Sequence, residues 1–299
     1  MPELPEVETI RTDLLEKIVN KKIVNLQIKK VKLVKNTQKF FKDFLLNAKF
    51  SYIDRIGKLL IFVVKKGKEE KYLLVHLKMT GQFIYVGKNE VVAGGHSNSR
   101  EESRKYRLGG LEKDLPNKFS HIIFYFQDKS TLYFNDMRQF GYMKIVDAGE
   151  LEYIKSRYGI EPLQKNFTWK NFQKTFEGKR TNIKAFLLNQ AMISGLGNIY
   201  VDEVLFASNI NPTRNISALN KDELRAIFDN TKRIIKNAIK RRGTTFSDYV
   251  DSKGEKGGYS DFLKVYGKEK TVCPKCRRTK IVKIKVAGRG TRFCPRCQN

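Results

Sequence analysis

The sequence predicts an α+β protein with a strand-rich first half, a helical second half and a cysteine-rich end. Three observations predict this fold. From Ile23 to Val146, short apolar runs are separated by Lys/Gly/Glu turns, as in hairpins. After Asp147, the apolar residues recur at helical spacing. All four cysteines follow residue 270, in two C-x2-C pairs.

The strand-rich half, residues 2–146, contains several short strands in succession. The stretches "KLLIFVVKKGKEEKYLLVHLKMTGQFIYV" and "HIIFYFQDKSTLYFNDMRQFGYMKIV" each read as hairpins. Such a succession is typical of a sandwich or a barrel. Residues 87–118 are polar and rich in Gly and Ser, so we expect a long surface loop there.

The helical half, residues 147–266, carries recognisable start and stop signals. Thr168 is a predicted N-cap, and Gly178 a predicted stop for the same helix. A long helix is predicted over residues 221–242, capped by Asn220 with Glu223 three residues later. Residues 244–259 are rich in Gly, Ser and Asp, which predicts a mobile loop.

The charge of the chain predicts a polyanionic partner. Lys and Arg number 59 against 31 Asp and Glu, which gives a net charge of +28. Nucleic acid is the leading candidate, a ribosomal or membrane surface is the second, and a merely solvated basic surface is the plain alternative. No apolar stretch approaches the roughly 18 residues of a membrane span. The start "MPELPEVETI" lacks the features of a secretory signal, and the cysteines are confined to one tail, so we expect the reducing cytoplasm.

The cysteine tail, residues 267–299, has the spacing C-x2-C-x17-C-x2-C. Two such pairs form the closed four-thiolate set of structural zinc, and this predicts one zinc ion. An iron–sulfur centre and four free thiols are the alternatives. The predicted ligands are Cys273, Cys276, Cys294 and Cys297.

The N-terminus carries a candidate nucleophile. Removal of the initiator methionine would leave Pro2 with a free secondary amine, and an α-amino pKa of about 8 leaves far more of it uncharged than a lysine at about 10.4. Such an amine forms a cationic iminium with an aldehyde-like carbon, and Glu3 beside it can move protons. The alternative is that these residues only start a helix, with Pro5 at its first position and Glu6 following.

Six motifs occur together, in order, between residues 2 and 298. They are "PELPEVET", "GKLL", "HLKMTGQF", "DMRQFG", "GLGNIYVDEVLF" and "GRGTRFCPRCQ". In this set the chain resembles the bacterial formamidopyrimidine-DNA glycosylases, base-excision repair enzymes that excise oxidised purines and nick the strand. Leu4 in "PELPE" favours this branch over the endonuclease VIII branch, whose start reads more like P-E-G-P.

The resemblance implies catalytic roles for four residues. Pro2 would attack C1′ of the damaged nucleotide, and Glu3 would transfer protons around the sugar. Lys58 matches a strand-borne lysine that contacts phosphate and donates a proton in β-elimination. Arg289 matches the zinc-finger arginine that binds flanking phosphates and is linked to δ-elimination. Taken alone, Lys58 reads as an exposed strand lysine and Arg289 as a solvated turn residue.

The resemblance also implies the contacts that hold damaged DNA. Met79, Arg138 and Phe140 match a triad that fills the space left by a flipped base, although Met79 and Phe140 taken singly would be core residues. Asn198 matches a phosphate-binding asparagine at a helix start. The full set of implied DNA-contacting residues is Glu6, Met79, Arg138, Phe140, Lys179, Arg180 and Asn198.

The implied architecture is an N-terminal β-sandwich, a helix–two-turn–helix domain and a β-hairpin zinc finger. We expect a monomer that requires no nucleotide cofactor and is located in the nucleoid. It would bind damaged double-stranded DNA in a basic cleft, and residues 244–259 would form a lid over the flipped base. Three features depart from the family: the long 87–118 segment, a zinc hairpin one residue longer, and Phe119 where a DNA-contacting His is expected.

Two other functions are compatible with part of the sequence. A non-catalytic zinc protein that binds DNA or the ribosome would explain the charge and the cysteines, but gives no reason for Pro2, Glu3 and Lys58 to occur together. An endonuclease VIII-like enzyme that prefers oxidised pyrimidines would explain the catalytic residues, and Leu4 argues against it.

Overall fold

The computed structural model describes residues 1–88, 91–95, 115–244 and 258–299. It divides into two compact units. Unit 1 comprises residues 1–155 and 242–260, and unit 2 comprises residues 156–241 and 261–299. Most of the predicted loop 87–118 and of the predicted lid 244–259 lies outside the described residues.

The described part of unit 1 contains nine strands in two antiparallel sheets. The strands are β1 Ile23–Ile28, β2 Lys49–Ile56, β3 Leu59–Lys66, β4 Glu69–His76, β5 Gly81–Val86, β6 Val91–Gly95, β7 Ser120–Phe126, β8 Thr131–Asp136 and β9 Tyr142–Val146. One sheet has the order β1-β7-β8-β5-β6, and the other has the order β2-β3-β4-β9.

The two sheets face each other across an aromatic core. Phe50 of β2 lies 5.9 Å from Phe124 of β7, measured between ring centroids. Phe62 of β3 lies 5.7 Å from Phe83 of β5. All four rings are buried, and their edge and tilted contacts are the arrangements that aromatic quadrupoles favour. The predicted sandwich is confirmed.

Two elements of unit 1 differ from the sequence prediction. Helix α2, Gln38–Leu45, interrupts the segment that was predicted to be mostly strands. It forms because Thr37 caps its first turn and because Phe41, Phe44 and Leu45 bury one face. Strand β6 occupies part of the predicted loop 87–118, since its backbone pairs with the edge of β5.

Helix α1, Leu4–Ile18, follows the catalytic candidates directly. Glu3 is its N-cap, and Pro5 occupies the second helical position, one later than predicted. The helix packs on the sandwich because its apolar residues recur every three or four positions. These buried residues are Leu4, Val7, Ile10, Leu14 and Ile18.

The second half of the chain is helical, as predicted. Its helices are α3 Ala148–Ser156, α4 Trp169–Phe176, α5 Ile183–Leu188, α6 Asn198–Ala207 and α7 Lys221–Lys240, and its hairpin strands are β10 Val282–Val286 and β11 Arg289–Phe293. Within the described ranges, every helix is too short or too polar to span a membrane.

The predicted caps of α4 and α7 are confirmed. Thr168 accepts a hydrogen bond from the third residue of α4. Asn220 and Glu223 form a reciprocal capping box, each side chain accepting from the other's backbone N–H at 2.9 Å. Helix α7 ends two residues earlier than predicted, because Arg242 and Gly243 adopt left-handed φ angles of 61° and 82°.

Candidate active site and zinc centre

The amino end of the chain lies in a buried, charged environment within unit 1. Burial lowers the pKa of the Met1 α-amino group below its usual value of 8.0. The carboxylates of Glu3 and Glu6 oppose that shift, whereas the positive charges of Lys58 and Arg138 add to it. Four predicted site residues are therefore within electrostatic reach of the terminal amine.

Lys58 lies in the two-residue turn between β2 and β3. The sequence had suggested a position within a strand. Ile56 pairs with Leu59 across this turn. Gly57 has a φ of 55°, which suits the first central position of a type II′ hairpin turn. Lys58 is only 6% exposed, so the interpretation as an exposed strand lysine is wrong.

A network of charged hydrogen bonds ties this turn to helix α1. The Arg55 guanidinium donates to the Glu8 carboxylate at 2.6 Å and to the Gly57 carbonyl at 3.2 Å. Arg11 donates to the same carboxylate at 2.5 Å and to the Ile53 carbonyl at 3.3 Å. Burial raises the pKa of Glu8, but the hydrogen bonds and charges of the two arginines outweigh it, and the net pKa is below the usual value. Glu8 thereby links the helix that begins at the N-terminus to the Lys58 turn.

Glu6 is a buried carboxylate with identified hydrogen-bond donors. Its Oε2 accepts from the Glu3 backbone N–H at 2.8 Å. Its Oε1 accepts from the backbone N–H of Thr244 at 2.7 Å and from the Thr244 hydroxyl at 3.0 Å. A Cβ at Gly243 would lie 2.6 Å from the same oxygen, so that position has no room for a side chain. Glu6 therefore links the start of α1 to the chain segment that ends at Thr244.

The predicted triad lies on two loops of unit 1. Met79 is half-buried in the turn between β4 and β5. Arg138 and Phe140 are exposed between β8 and β9, and the Arg138 guanidinium carbon lies 4.8 Å from the centre of the Phe140 ring. Phe140 is 55% exposed, so its interpretation as a core residue is wrong.

The position where the family pattern has a histidine is occupied by a cation–aromatic pair. The Lys118 ammonium lies 5.1 Å from the centre of the Phe119 ring. His121, two residues later, is buried, and its Nε2–H donates to the Asp136 carbonyl at 2.8 Å. Burial lowers the pKa of His121, so the neutral ring is a structural part of the sheet.

Unit 2 places Asn198 beside the zinc hairpin. Asn198 is the first residue of α6, and its amide donates to the Gly290 carbonyl at 3.0 Å. The start of this helix, where the positive end of the helix dipole favours anions, therefore lies next to the "GRGT" motif. Lys179 and Arg180 are exposed after α4.

Sequence reasoning missed a buried polar network beneath that hairpin. Lys184 and Asp202 are fully buried and form an ion pair at 2.5 Å. Lys184 also donates to the Thr291 hydroxyl at 2.8 Å, and the Arg292 backbone N–H donates to Asp202 at 2.9 Å. Burial raises the pKa of Asp202 to about 6. The partners are 18 to 107 positions apart in sequence, so no local pattern indicates the network.

Glu203 is a second acid that the sequence did not indicate as structural. Its carboxylate accepts three backbone N–H groups at 2.9 Å, from Lys264, Val265 and Tyr266. Burial raises the pKa of Glu203 against these hydrogen bonds. The carboxylate fixes the segment that leads into the cysteine tail against α6.

The four cysteines form a compact cluster. Their Sγ atoms all lie within 4.8 Å of one another, and the cross-pairs Cys273–Cys297 and Cys276–Cys294 are 3.9 and 3.8 Å apart. A zinc ion with bonds of about 2.3 Å requires a sulfur–sulfur separation of about 3.8 Å in a regular tetrahedron. The donor set fits zinc and leaves no open position for substrate.

The zinc module displays Arg289 at the end of its hairpin. Ala287 and Gly288 form the turn with left-handed φ angles of 49° and 72°, as in a type I′ hairpin. Arg289 follows as the first residue of β11 and is exposed. The folded hairpin therefore holds this guanidinium out in solvent.

Family comparisons account for almost the whole chain. Residues 1–143 match the model of the formamidopyrimidine-DNA glycosylase N-terminal domain, residues 158–250 match that of the formamidopyrimidine-DNA glycosylase H2TH domain, and residues 271–299 match that of a zinc finger found in FPG and IleRS. The formamidopyrimidine-DNA glycosylase of Streptococcus mutans is 38% identical over 301 residues, covering 100% of this chain and 99% of that protein. The chain belongs to the formamidopyrimidine-DNA glycosylase family.

Other members of the family are similar over the same length. The formamidopyrimidine-DNA glycosylase of Pelotomaculum thermopropionicum is 35% identical and covers 100% of this chain and 99% of its own. Lactococcus lactis Fpg bound to DNA with an abasic site matches with a TM-score of 0.83 and 31% identity, over 99% of both chains. The same Lactococcus enzyme bound to DNA with N7-benzyl-Fapy-dG matches with a TM-score of 0.83, 31% identity and complete coverage of both chains.

Membership in the formamidopyrimidine-DNA glycosylase family confirms the resemblance, the three-part fold and the zinc ion that the sequence predicted. Iron–sulfur and free-thiol alternatives for the cysteines are wrong. The predicted site residues fall into two groups. Unit 1 holds Pro2, Glu3, Glu6, Lys58, Met79, Arg138 and Phe140, and unit 2 holds Lys179, Arg180, Asn198, Arg289 and the four cysteines.

Proposed function

We propose that this family member is a bifunctional DNA glycosylase and AP lyase of base excision repair. It excises oxidised purines, such as 8-oxoguanine and formamidopyrimidines, from double-stranded DNA and acts as a monomer. Its partner is damaged DNA, the kind of ligand that the Lactococcus Fpg structures contain. We place it in the cytoplasm, at the nucleoid, where such DNA lies.

The observation that carries this proposal is the environment of the terminal amine. Removal of Met1 would put the secondary amine of Pro2 in the same buried surroundings, beside Glu3 and Lys58. Burial would favour the uncharged amine, which is the nucleophilic form. The lone pair attacks C1′, the bond from C1′ to the base breaks, and the base leaves with a proton. The C1′–O4′ bond of the sugar then breaks as O4′ takes up a proton, and the product is an iminium ion between Pro2 and C1′ of the opened sugar.

The iminium is an electron sink that makes strand cleavage possible. Loss of a proton from C2′ breaks the C3′–O bond, and a second elimination breaks the C5′–O bond, so that a one-nucleotide gap remains. We assign proton transfer at the sugar to Glu3 and phosphate contact with proton donation to Lys58. Arg289 would bind the flanking phosphates through its planar guanidinium.

The remaining predicted residues would hold the duplex around the extruded nucleotide. Met79, Arg138 and Phe140 would occupy the space that the flipped base leaves. Lys179, Arg180 and Asn198 would bind backbone phosphates, with Asn198 at the start of a ten-residue helix whose positive dipole end favours anions. Phosphate binding predicts an affinity that falls steeply with salt.

Borohydride trapping tests the proposed nucleophile. The protein is incubated with a duplex that contains 8-oxoguanine opposite cytosine, the adduct is reduced, and the modified peptide is identified by mass spectrometry. We expect the adduct on Pro2, and none in a form that retains Met1. Pro5→Ala, which changes a neighbouring proline and leaves the terminal amine, should still trap. An adduct on Lys58 would refute the assignment.

A panel of lesion duplexes tests the alternatives. An endonuclease VIII-like enzyme would cut oxidised pyrimidines faster than 8-oxoguanine. The panel includes them for the further reason that one Lactococcus Fpg structure holds oxidised-pyrimidine DNA. A protein that binds every duplex but traps none would be a non-catalytic zinc protein.

A further inference from the structure

Two loops of unit 1 cross side by side from one sheet of the sandwich to the other. The first, residues 77–80, leaves β4 and enters β5. The second, residues 137–141, leaves β8 and enters β9. Gly81 pairs with Asp136 where both loops meet the five-stranded sheet, and His76 pairs with Tyr142 where both meet the four-stranded sheet. We call them the paired loops.

The paired loops are joined by a buried hydroxyl and a buried carboxylate. The Thr80 hydroxyl donates to the Asp136 carboxylate and accepts from the Arg138 backbone N–H at 2.9 Å. The other carboxylate oxygen accepts from the Gly141 backbone N–H at 2.7 Å. Asp136 is fully buried, and Thr80 is 6% exposed. We call this pair of side chains the cross-tie.

The backbone around the cross-tie has little room to adjust. A Cβ at Gly141 would lie 2.9 Å from the Phe134 ring, 3.0 Å from the Asp136 carboxylate and 3.2 Å from the His76 carbonyl. A Cβ at Gly81 would lie 2.5 Å from the Leu77 carbonyl. Such close approaches favour glycine at both positions.

Each loop also contains one non-glycine residue with a left-handed backbone. These are Lys78, with φ of 51°, and Gln139, with φ of 55°. That conformation is strained and persists only where the surroundings hold it. The Lys78 N–H donates to Nδ1 of His76 at 3.0 Å. Burial and the charges of Lys78 and Lys58 lower the pKa of His76 to about 3, so the ring is neutral and accepts this bond at physiological pH.

The tips of the paired loops contrast with their fixed base. Met79 is half-buried, whereas Arg138 and Phe140 project into solvent with the cation over the ring. Inserting side chains into a duplex requires unstacking, which costs a few kcal/mol per step. Side chains that are already ordered lose less entropy on insertion, so a rigid base favours it.

We propose that Thr80 and Asp136 are positioning residues that hold Met79, Arg138 and Phe140 as one rigid wedge for base extrusion. The cross-tie fixes the separation of the two loops, so the three side chains enter the duplex together. This inference rests on the proposed function of the triad. It adds two buried residues at the base of the loops.

Thr80→Val tests the cross-tie, because it removes the hydroxyl and keeps the shape. Thr80→Ser is the matched control, because it keeps the hydroxyl. Single-turnover cleavage is measured on a duplex with 8-oxoguanine opposite cytosine and on one with a preformed abasic site. We expect the valine variant to lose about tenfold on the first substrate, the factor that one hydrogen bond to a charged group carries. It should lose no more than about threefold on the second, where no base has to leave the stack.

A binding measurement separates the cross-tie from the proposed chemistry. 2-Aminopurine placed beside an abasic analogue reports unstacking by fluorescence and requires no catalysis. At equal occupancy, the wild type and the serine variant should give the full signal, and Thr80→Val and Asp136→Asn a reduced one. A full signal from both latter variants, or an equal loss on both cleavage substrates, would overturn the proposal. If the proposed function were wrong, borohydride would trap no adduct at Pro2, whereas the 2-aminopurine fluorescence would still report unstacking.

Discussion

The Glu8–Arg55 ion pair offers a direct test of how the Lys58 turn is held. Glu8→Gln keeps the shape of the side chain and removes its charge. The Arg55 side chain is 8% exposed and that of Glu8 is 18% exposed, so the pair is largely shielded from solvent. A hydrogen bond to a charged group stabilises by about 1.5–3 kcal/mol, and removing one partner of a fully buried pair costs about 3–5 kcal/mol. Arg11, whose side chain is 19% exposed, loses the same charged acceptor and contributes part of this loss. We expect unit 1 to lose about 2–3 kcal/mol of unfolding free energy.

The assay must report on unit 1, because Trp169, the only tryptophan of the chain, lies in unit 2. Hydrogen exchange of the peptide that spans residues 49–66 follows β2, the turn and β3. Combining Glu8→Gln with Arg55→Met in a double-mutant cycle should give a coupling of about 2 kcal/mol. Glu16→Gln, an exposed acid on the same helix, is the control and should change stability by less than about 0.5 kcal/mol.

The same variant should impair strand cleavage, since displacing a catalytic group by about 1 Å can cost about 100-fold. The stability loss should also depend on pH. The pKa of Glu8 in the folded protein lies below its usual value of 4.5. The ionised carboxylate therefore contributes fully to the free energy of unfolding above pH 4.5, and this contribution disappears as the pH falls through the folded pKa. A coupling below about 0.5 kcal/mol with unchanged cleavage would refute the reasoning.

Three further predictions concern unit 2. Zinc chelation should release one equivalent of metal, deprotect residues 271–299 in hydrogen exchange and abolish DNA binding, whereas survival of the hairpin without metal would contradict a structural zinc. Glu203→Gln should destabilise the segment 264–266 by about 2 kcal/mol, because three charge-assisted hydrogen bonds weaken, and exchange of those three amides checks it. Asn220→Ala should lower the unfolding free energy of unit 2 by about 1 kcal/mol, because the capping box is lost. Trp169 fluorescence measures this change, since that ring contacts α7. The control Asn237→Ala, an exposed position in the last turn of α7, should show no loss.

The features predicted from sequence are those with local signals. The zinc ligands follow from two short spacings, the cap of α4 follows from Thr168 before its helical pattern, and the capping box of α7 follows from Asn220 and Glu223, three positions apart. Helix α2 was missed because its helical pattern of apolar residues covers only eight positions and lies inside a strand-rich region. Lys58 was predicted to lie in a strand, but it lies in the turn before β3 because Gly57 turns the chain just before it.

The features that sequence could not predict depend on distant partners. Thr80 meets Asp136 across 56 positions, and Glu203 meets Val265 across 62. Acids at such positions look like ordinary surface residues until the fold buries them. The proposed catalytic residues were recognisable only as a set of motifs, since each of them taken singly had an ordinary structural explanation.

The discontinuity of unit 1 limits how this protein can be divided. Residues 242–260 return to unit 1 after the chain has built most of unit 2. Within that return, Thr244 supplies the donors for buried Glu6, and Arg242 binds Asp13 at 2.7 Å. A fragment that ends at residue 155 therefore leaves two acids of α1 without these partners. Recombination that exchanged the N-terminal half alone between genes would separate that half from the short segment that completes it.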